Sequence, residues 1–204
     1  MNAAIILSGG ASRRMGQPKA LLPYQGRPLV QAHWFALRAA GADPLRIVVG
    51  AGAAGIIRGS RLARENFVFN RLHRLGQLSS LQAGLTVLLE DRTWPAVFVT
   101  PVDALPVEPG VCEVLSAALA KRKLMAVKPA LGGKGGHPVL LSRAVCRRIL
   151  KLDPQTGRLD LLLRTLEEQG RCARIEVGSE AILANLNDPA VYRRAIGPSR
   201  PLPR

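Results

Sequence analysis

The sequence predicts one α/β domain built on a mostly parallel sheet, and three observations carry that expectation. Short apolar runs of strand length alternate with stretches whose apolar residues recur at helical spacing. Two of the runs, residues 3–7 and 96–99, are apolar without a break, as strands buried on both faces are. A glycine-rich, basic turn follows the first, and an aspartate lies just beyond the second; open α/β sheets bind ligands beyond the carboxyl ends of their strands.

The first run opens onto Leu7-Ser8-Gly9-Gly10-Ala11-Ser12-Arg13-Arg14-Met15-Gly16-Gln17-Pro18-Lys19. Glycines there let a ligand approach the main chain, and successive N–H groups in such a turn form a concave donor surface for anions. Arg13, Arg14 and Lys19 add positive charge suited to phosphate oxygens. Residue types alone leave two readings, a polyphosphate cradle or a plain strand-to-helix turn with solvated arginines. A Walker A loop is excluded, because Gly16 precedes Gln-Pro-Lys rather than Lys-Ser/Thr.

Further along, residues 20–23 are short and apolar, and Gly26-Arg27-Pro28 turns the chain into a helix expected over 29–40, stopped by Gly41. Ile47-Val48-Val49 reads as the second strand. The segment Gly50-Ala51-Gly52-Ala53-Ala54-Gly55 spells G-x-G-x-x-G after it. A dinucleotide site would need an acid about 20 residues on, and Val68 to Leu72 offers none, so an ordinary glycine turn is expected. Phe67-Val68-Phe69 reads as a strand ending at Asn70. A helix then starts near Gly76, with Ser79 or Ser80 available either to cap it or to join an anion site at its N-terminus, and runs to about Leu89.

The strand at 96–100 leads to Asp103, a place where a carboxylate could hold Mg²⁺ beside phosphate oxygens or merely shape a turn. A helix over 111–119 and a strand at 125–127 precede Gly132-Gly133-Lys134-Gly135-Gly136-His137-Pro138, read as a flexible loop able to close on a second substrate. A strand at 139–141, helices at 143–150 and 158–169, strands at 173–177 and 181–186, and a last helix at 190–195 complete the expectation. Residues 1–197 are taken as the domain and 198–204, rich in Pro and Arg, as a disordered tail.

Composition narrows the function. Of the 204 residues 48% are hydrophobic, mean hydropathy is +0.12, and no apolar run approaches the roughly 20 residues that span a bilayer. No signal-peptide pattern opens the chain, so a soluble cytoplasmic protein without membrane contact is expected. Cys112, Cys146 and Cys172 are scattered, as are His33, His73 and His137, which argues against a disulfide framework or a transition-metal cluster. Basic residues outnumber acidic ones 29 to 14, for a net charge of +15, but they are dispersed, and aromatics make up only 4%. Dispersed charge with few stacking platforms weakens a nucleic-acid reading, but an attraction for small polyanionic substrates and a neutral bias towards Arg fit equally, so the charge alone decides nothing.

The opening loop resembles the signature of the MobA-like nucleotidyltransferases, the family of molybdenum cofactor guanylyl- and cytidylyltransferases. The likeness continues at Gly26-Arg27-Pro28-Leu29, Asn70, Gly76 with Ser79-Ser80-Leu81-Gln82-Ala83-Gly84-Leu85, Asp103, Gly136-His137-Pro138-Val139 and Asn185-Leu186-Asn187-Asp188-Pro189. It implies a three-layer Rossmann-like nucleotidyltransferase fold. It also implies roles: Leu7, Ser8, Gly9 and Gly10 facing the base, with Ser12, Ser79 and Ser80 in the nucleotide site and Asn70 near the nucleoside. Arg14 and Lys19 would hold the triphosphate, Asp103 would bind Mg²⁺, Asn187 would lie near the metal or the acceptor, and Gly136 and His137 would lie at the acceptor. Two departures stand out. Pro106 falls one place later than the family's Asp-x-Pro, and amides Asn185 and Asn187 replace aspartates common among relatives.

The implied reaction is attack of an acceptor phosphate on the α-phosphorus of an NTP, with pyrophosphate leaving. Gly9-Gly10 resembles the guanylyl type, whereas 76–85 and 136–139 resemble the cytidylyl type, so GTP and CTP both stay open. A molybdopterin-type acceptor is favoured over a sugar phosphate, contact with a molybdoenzyme or chaperone is a further expectation, and the competing classes are a non-catalytic nucleotide sensor and a nucleic-acid binder.

Overall fold

The computed structural model describes residues 1–10, 17–91, 93–121, 123–186 and 192–194. Ser12, Arg14 and Asn187 lie outside them, as do residues 190, 191 and 195 of the expected last helix and the 198–204 tail; residues 192–194 are helical.

At the centre lies β1 (Ala3–Ser8), buried along its whole length. It pairs in parallel with β4 (Leu45–Val49) on one side and β6 (Ala96–Pro101) on the other. Outside the sheet, β2 (Pro23–Tyr24) and β3 (Arg27–Pro28) form a small hairpin. With β5 (Phe67–Phe69), β7 (Ala126–Leu131), β8 (Lys134–Gly135), β9 (Val139–Ser142) and β10 (Cys172–Glu176), the sheet runs β10-β7-β9-β6-β1-β4-β5, with β8 on β7. Its pairings β1–β4, β1–β6, β4–β5 and β7–β10 are parallel; β9 runs antiparallel to both β6 and β7.

The strand period divides the core in two. Ala4, Ile6, Ile47, Val49 and Phe98 point to one face, against α1 (Leu29–Ala39), α2 (Ala53–Ser60) and α4 (Pro109–Lys121). Their neighbours Ile5, Leu7, Val48, Val97 and Val99 point to the other, against α3 (Gln77–Leu88), α5 (Arg143–Ile149) and α6 (Leu159–Glu168). Three layers result, because strands covered on both faces have no polar side to spare. Alternation within one apolar run does the sorting.

Three expectations change. Residues 181–186 are not a strand: Glu180–Leu183 form a 3₁₀ turn that buries Ile182, and only a single bridge joins Asn185 to Ala104. The glycine-rich segment is a pinned hairpin rather than an open loop. Gly132 and Gly133 turn it with φ of +56° and +75°, and both N–H groups donate to the Glu176 carboxylate at 3.0 and 2.9 Å. Gly136 then packs so tightly on the Ile182 carbonyl that a Cβ would collide with it. Finally, Ser79 and Ser80 do not cap α3; Gly76 stands at that cap, at φ +107°, with no side-chain hydrogen bond.

Candidate active site

The ends of β1 and β6 place the first half of the site. The Val102 N–H donates to the Leu7 carbonyl at 2.9 Å, tying the turn after β6 to the loop after β1. The Asp103 carbonyl accepts from Leu186 N–H at 2.6 Å, so the C-terminal segment clamps the aspartate's backbone. Behind it His33 is fully buried in α1 and donates from Nε2 to the Ala104 carbonyl at 3.1 Å. Burial pushes the His33 imidazole down to about 4, only partly opposed by the carbonyls it faces and by Asp103, so the ring is neutral and a donor at Nε2.

Across from Asp103 the chain returns through a 3₁₀ turn, Lys19–Leu21, which delivers Lys19. Its Nζ lies 3.1 Å from Asp103 Oδ2, with both side chains about one-fifth exposed. The lysine expected to hold phosphate and the carboxylate expected to hold a metal thus meet at one point.

Between these groups lies a cavity of ≈ 270 Å³. Leu7, Ser8, Gly9, Gly10, Lys19, Ser80 and Asp103, all expected at the site, line it together. Asn70 and Ser79 sit behind its wall. Asn70 Nδ2 donates to Ser79 Oγ and Ser80 Oγ, both at 3.0 Å, and its Oδ1 accepts the Leu72 N–H at 2.9 Å. His73 and Gln77 also line the cavity, though nothing in the sequence singled them out. His73 is turned by its Nδ1, 3.2 Å from the Asn70 carbonyl. The G-x-G-x-x-G decoy has a use of its own: Gly50 lets the Gly9 carbonyl and His73 come so close that a Cβ would overlap both.

A second cavity, ≈ 450 Å³, adjoins the first and shares Leu7, Gln77 and Pro101 with it. Its walls are largely apolar, with Leu78, Leu81, Val99, Val139 and Leu163, and its polar lining includes His137, Gln155, Arg158 and Asp160. His137 therefore belongs to this second space, not the first. Burial holds its imidazole below the usual range, with Asp103 pulling the other way. Gly136, buried against Ile182, lines neither cavity. Among the described residues no group of three or more His, Cys, Asp or Glu is placed to hold a metal.

The model of the MobA-like NTP transferase domain matches residues 4–171, from β1 to the end of α6 and beyond. The chain belongs to this family. That agrees with the resemblance drawn from the opening loop. Among curated relatives, a nicotine blue oxidoreductase of Paenarthrobacter nicotinovorans is 31% identical over 147 residues, 67% of this chain and 69% of that one. A probable molybdenum cofactor guanylyltransferase of Opitutus terrae is 35% identical over 104 residues, 50% of this chain, which therefore spans about half (49%) of that relative's length. Solved structures share the fold: a nucleotidyl transferase from Methanothermobacter has a TM-score of 0.79 at 22% identity, covering 96% of each chain. A Mycobacterium tuberculosis protein in complex with manganese gives 0.70 at 23%, covering 95% of this chain and 97% of that one.

Proposed function

We propose that the chain transfers a nucleotidyl group from GTP or CTP to a phosphate-bearing acceptor of molybdopterin type, releasing pyrophosphate. The observation that carries this reading is the convergence of the Gly9-Gly10 backbone, Lys19 and Asp103 on one cavity at the carboxyl edge of the sheet. Support for the acceptor comes from the relative named as a molybdenum cofactor guanylyltransferase. The second cavity has the room and the apolar walls for a fused heterocycle, with His137 at its lining.

A divalent cation, Mg²⁺ in this reading, fits the donor set: a single hard carboxylate, Asp103, beside a space for phosphate oxygens, is a common way to hold it. When bound, the ion neutralises charge on the phosphates. The chain's own residues supply the rest. Lys19 exchanges the Asp103 carboxylate for phosphate oxygens and offsets their negative charge, joined in this reading by Arg14. The acceptor phosphate is already ionised at neutral pH, so no general base is needed, and holding the two substrates in adjoining cavities supplies orientation. The shared wall of Leu7, Gln77 and Pro101 sets the line between them.

The test is a screen of four NTPs with Mg²⁺ against molybdopterin and sugar phosphates, scored by pyrophosphate release, with Asp103→Asn and Lys19→Ala beside the wild type. Each substitution should cost on the order of 10²–10³ in rate, as removal of a preorganised electrostatic contact does. Undiminished release by Asp103→Asn removes that residue from the reaction; absence of release with every acceptor leaves a nucleotide sensor.

One observation favours a second reading. The apolar ≈ 450 Å³ cavity would also take a flat heteroaromatic, and a relative is named a nicotine blue oxidoreductase. Consumption of a reduced nicotinamide nucleotide with such a substrate, and no pyrophosphate, would favour it. Among the described residues no helix is long and apolar enough to cross a membrane. A cytoplasmic location, proposed on the three free buried thiols, fits a reducing compartment.

A further inference from the structure

We infer that Ser80 reads the nucleobase as a hydrogen-bond donor, that Asn70 sets the direction of that donor, and that Gly9 is glycine because the Ser80 hydroxyl occupies the place of its Cβ. The inference rests on the nucleotide reading of the ≈ 270 Å³ cavity and deepens it.

Hydrogen-bond polarity separates the two serines. The orientation of the Asn70 amide is set by its surroundings, since Oδ1 accepts the Leu72 N–H at 2.9 Å. The NH₂ end therefore faces the serines and donates to both, at 3.0 Å each. Ser79 spends its own proton inside the protein, on the Leu72 carbonyl at 2.9 Å or the Gly76 carbonyl at 2.8 Å. Ser80 does not. Its oxygen accepts from Asn70, its proton has no acceptor among the described residues, and its side chain lines the cavity where Ser79 does not. A hydroxyl whose oxygen is engaged by a donor turns its proton outward, so Ser80 presents a donor to whatever fills the cavity. The partner on the ligand is then an acceptor, a carbonyl oxygen or ring nitrogen of a base.

Gly9 faces that hydroxyl. A Cβ built on Gly9 would lie 2.6 Å from Ser80 Oγ but 3.6 Å from Ser80 Cβ, so the collision is with the oxygen alone. On its other side the Gly9 carbonyl lies so near Gly50 that a Cβ built there would come within 2.9 Å of it, so the loop is closely packed on that side as well. The two positions are therefore coupled: a larger residue at 9 is compatible with alanine at 80 and incompatible with serine.

Calorimetric titration with Mg·GTP, Mg·CTP and inorganic tripolyphosphate tests this on wild type, Ser80→Ala, Asn70→Asp, Gly9→Ala and the Gly9→Ala/Ser80→Ala double variant. Ser80→Ala should weaken the tighter-binding nucleotide about 10-fold, the loss of one hydrogen bond, and leave tripolyphosphate unchanged because the contact is to the base. Asn70→Asp keeps the acceptor for Leu72 but removes the donor to Ser80, whose hydroxyl then turns inward; its loss should match that of Ser80→Ala. Gly9→Ala should weaken binding about 100-fold or more, and the double variant should return to within about 3-fold of Ser80→Ala. Equal nucleotide affinity in Ser80→Ala and wild type overturns the inference, as does a double variant no better than Gly9→Ala. Loss of tripolyphosphate binding in Ser80→Ala overturns it too, by showing a general structural effect. If the wild type binds tripolyphosphate but neither nucleotide, the nucleotide reading itself fails.

Discussion

Acid should loosen this protein through one residue, His33. The imidazole lies fully buried in α1, makes its hydrogen bond to the Ala104 carbonyl as a neutral donor, and faces Asp103 and His137 at longer range. Desolvation lowers its pKa from 6.5 to about 4. The unfolded chain thus binds a proton below about pH 6.5 that the folded chain refuses until about pH 4. Stability from this group is fully present above 6.5 and is lost as pH falls towards 4, because protons favour the unfolded state in that window. A pKa lowered from 6.5 to about 4 corresponds to about 3 kcal/mol in all, of which about 2 kcal/mol is lost between pH 7.5 and 5. Urea unfolding of wild type and His33→Gln at pH 7.5, 6 and 5 isolates the contribution of this imidazole. Glutamine keeps an N–H for Ala104 and cannot titrate, so the wild-type curve should fall by that amount relative to the variant. Depression of His137 contributes in the same direction to both proteins and cancels in the comparison. Parallel pH dependences for the two proteins would refute the assignment.

Two further perturbations probe the frame. Gly136→Ala forces a Cβ onto the Ile182 carbonyl, and backbone cannot swing away as a side chain can. It should cost roughly 1–3 kcal/mol in urea unfolding, and a change under about 0.5 kcal/mol would show that the hairpin is not clamped. Burial pushes the thiols of Cys112 and Cys146 up to about 12 and that of Cys172 up to about 11, leaving little thiolate. Iodoacetamide at pH 8 should therefore spare all three in the native protein and label them in urea; rapid native labelling of any one contradicts its burial.

Local signals were enough for the layered architecture and most of its elements. The unbroken runs at 3–7 and 96–99 correspond to β1 and β6, both central and parallel, since continuous apolarity reports burial on two faces. The glycine-rich opening and Asp103 were legible for a related reason: residues past the carboxyl end of such strands reach the ligand edge whatever the rest of the chain does. The failures were of another kind. Residues 181–186 carry strand-like apolar residues, but Ile182 and Leu186 are buried by packing under the hairpin and the Asp103 turn instead of by pairing. The glycines at 132–136 looked mobile because glycine frees a chain with no neighbours; Glu176, 40 or more residues away, and Ile182 remove that freedom. Ser79 and Ser80 are adjacent and chemically identical, so no pattern could assign one to the frame and the other to the cavity.

By itself, then, the sequence determined where strands and helices alternate, which turns bear glycine, base or carboxylate, and the family to which they point. Only the tertiary structure decided which of these groups meet. It set Lys19 against Asp103, put His137 in a second cavity, and aimed the hydroxyl of Ser80 through an asparagine ten residues away. Periodicity and turn chemistry act over a few neighbouring residues, whereas the direction of a hydrogen bond or the room for a Cβ depends on segments that folding alone brings together.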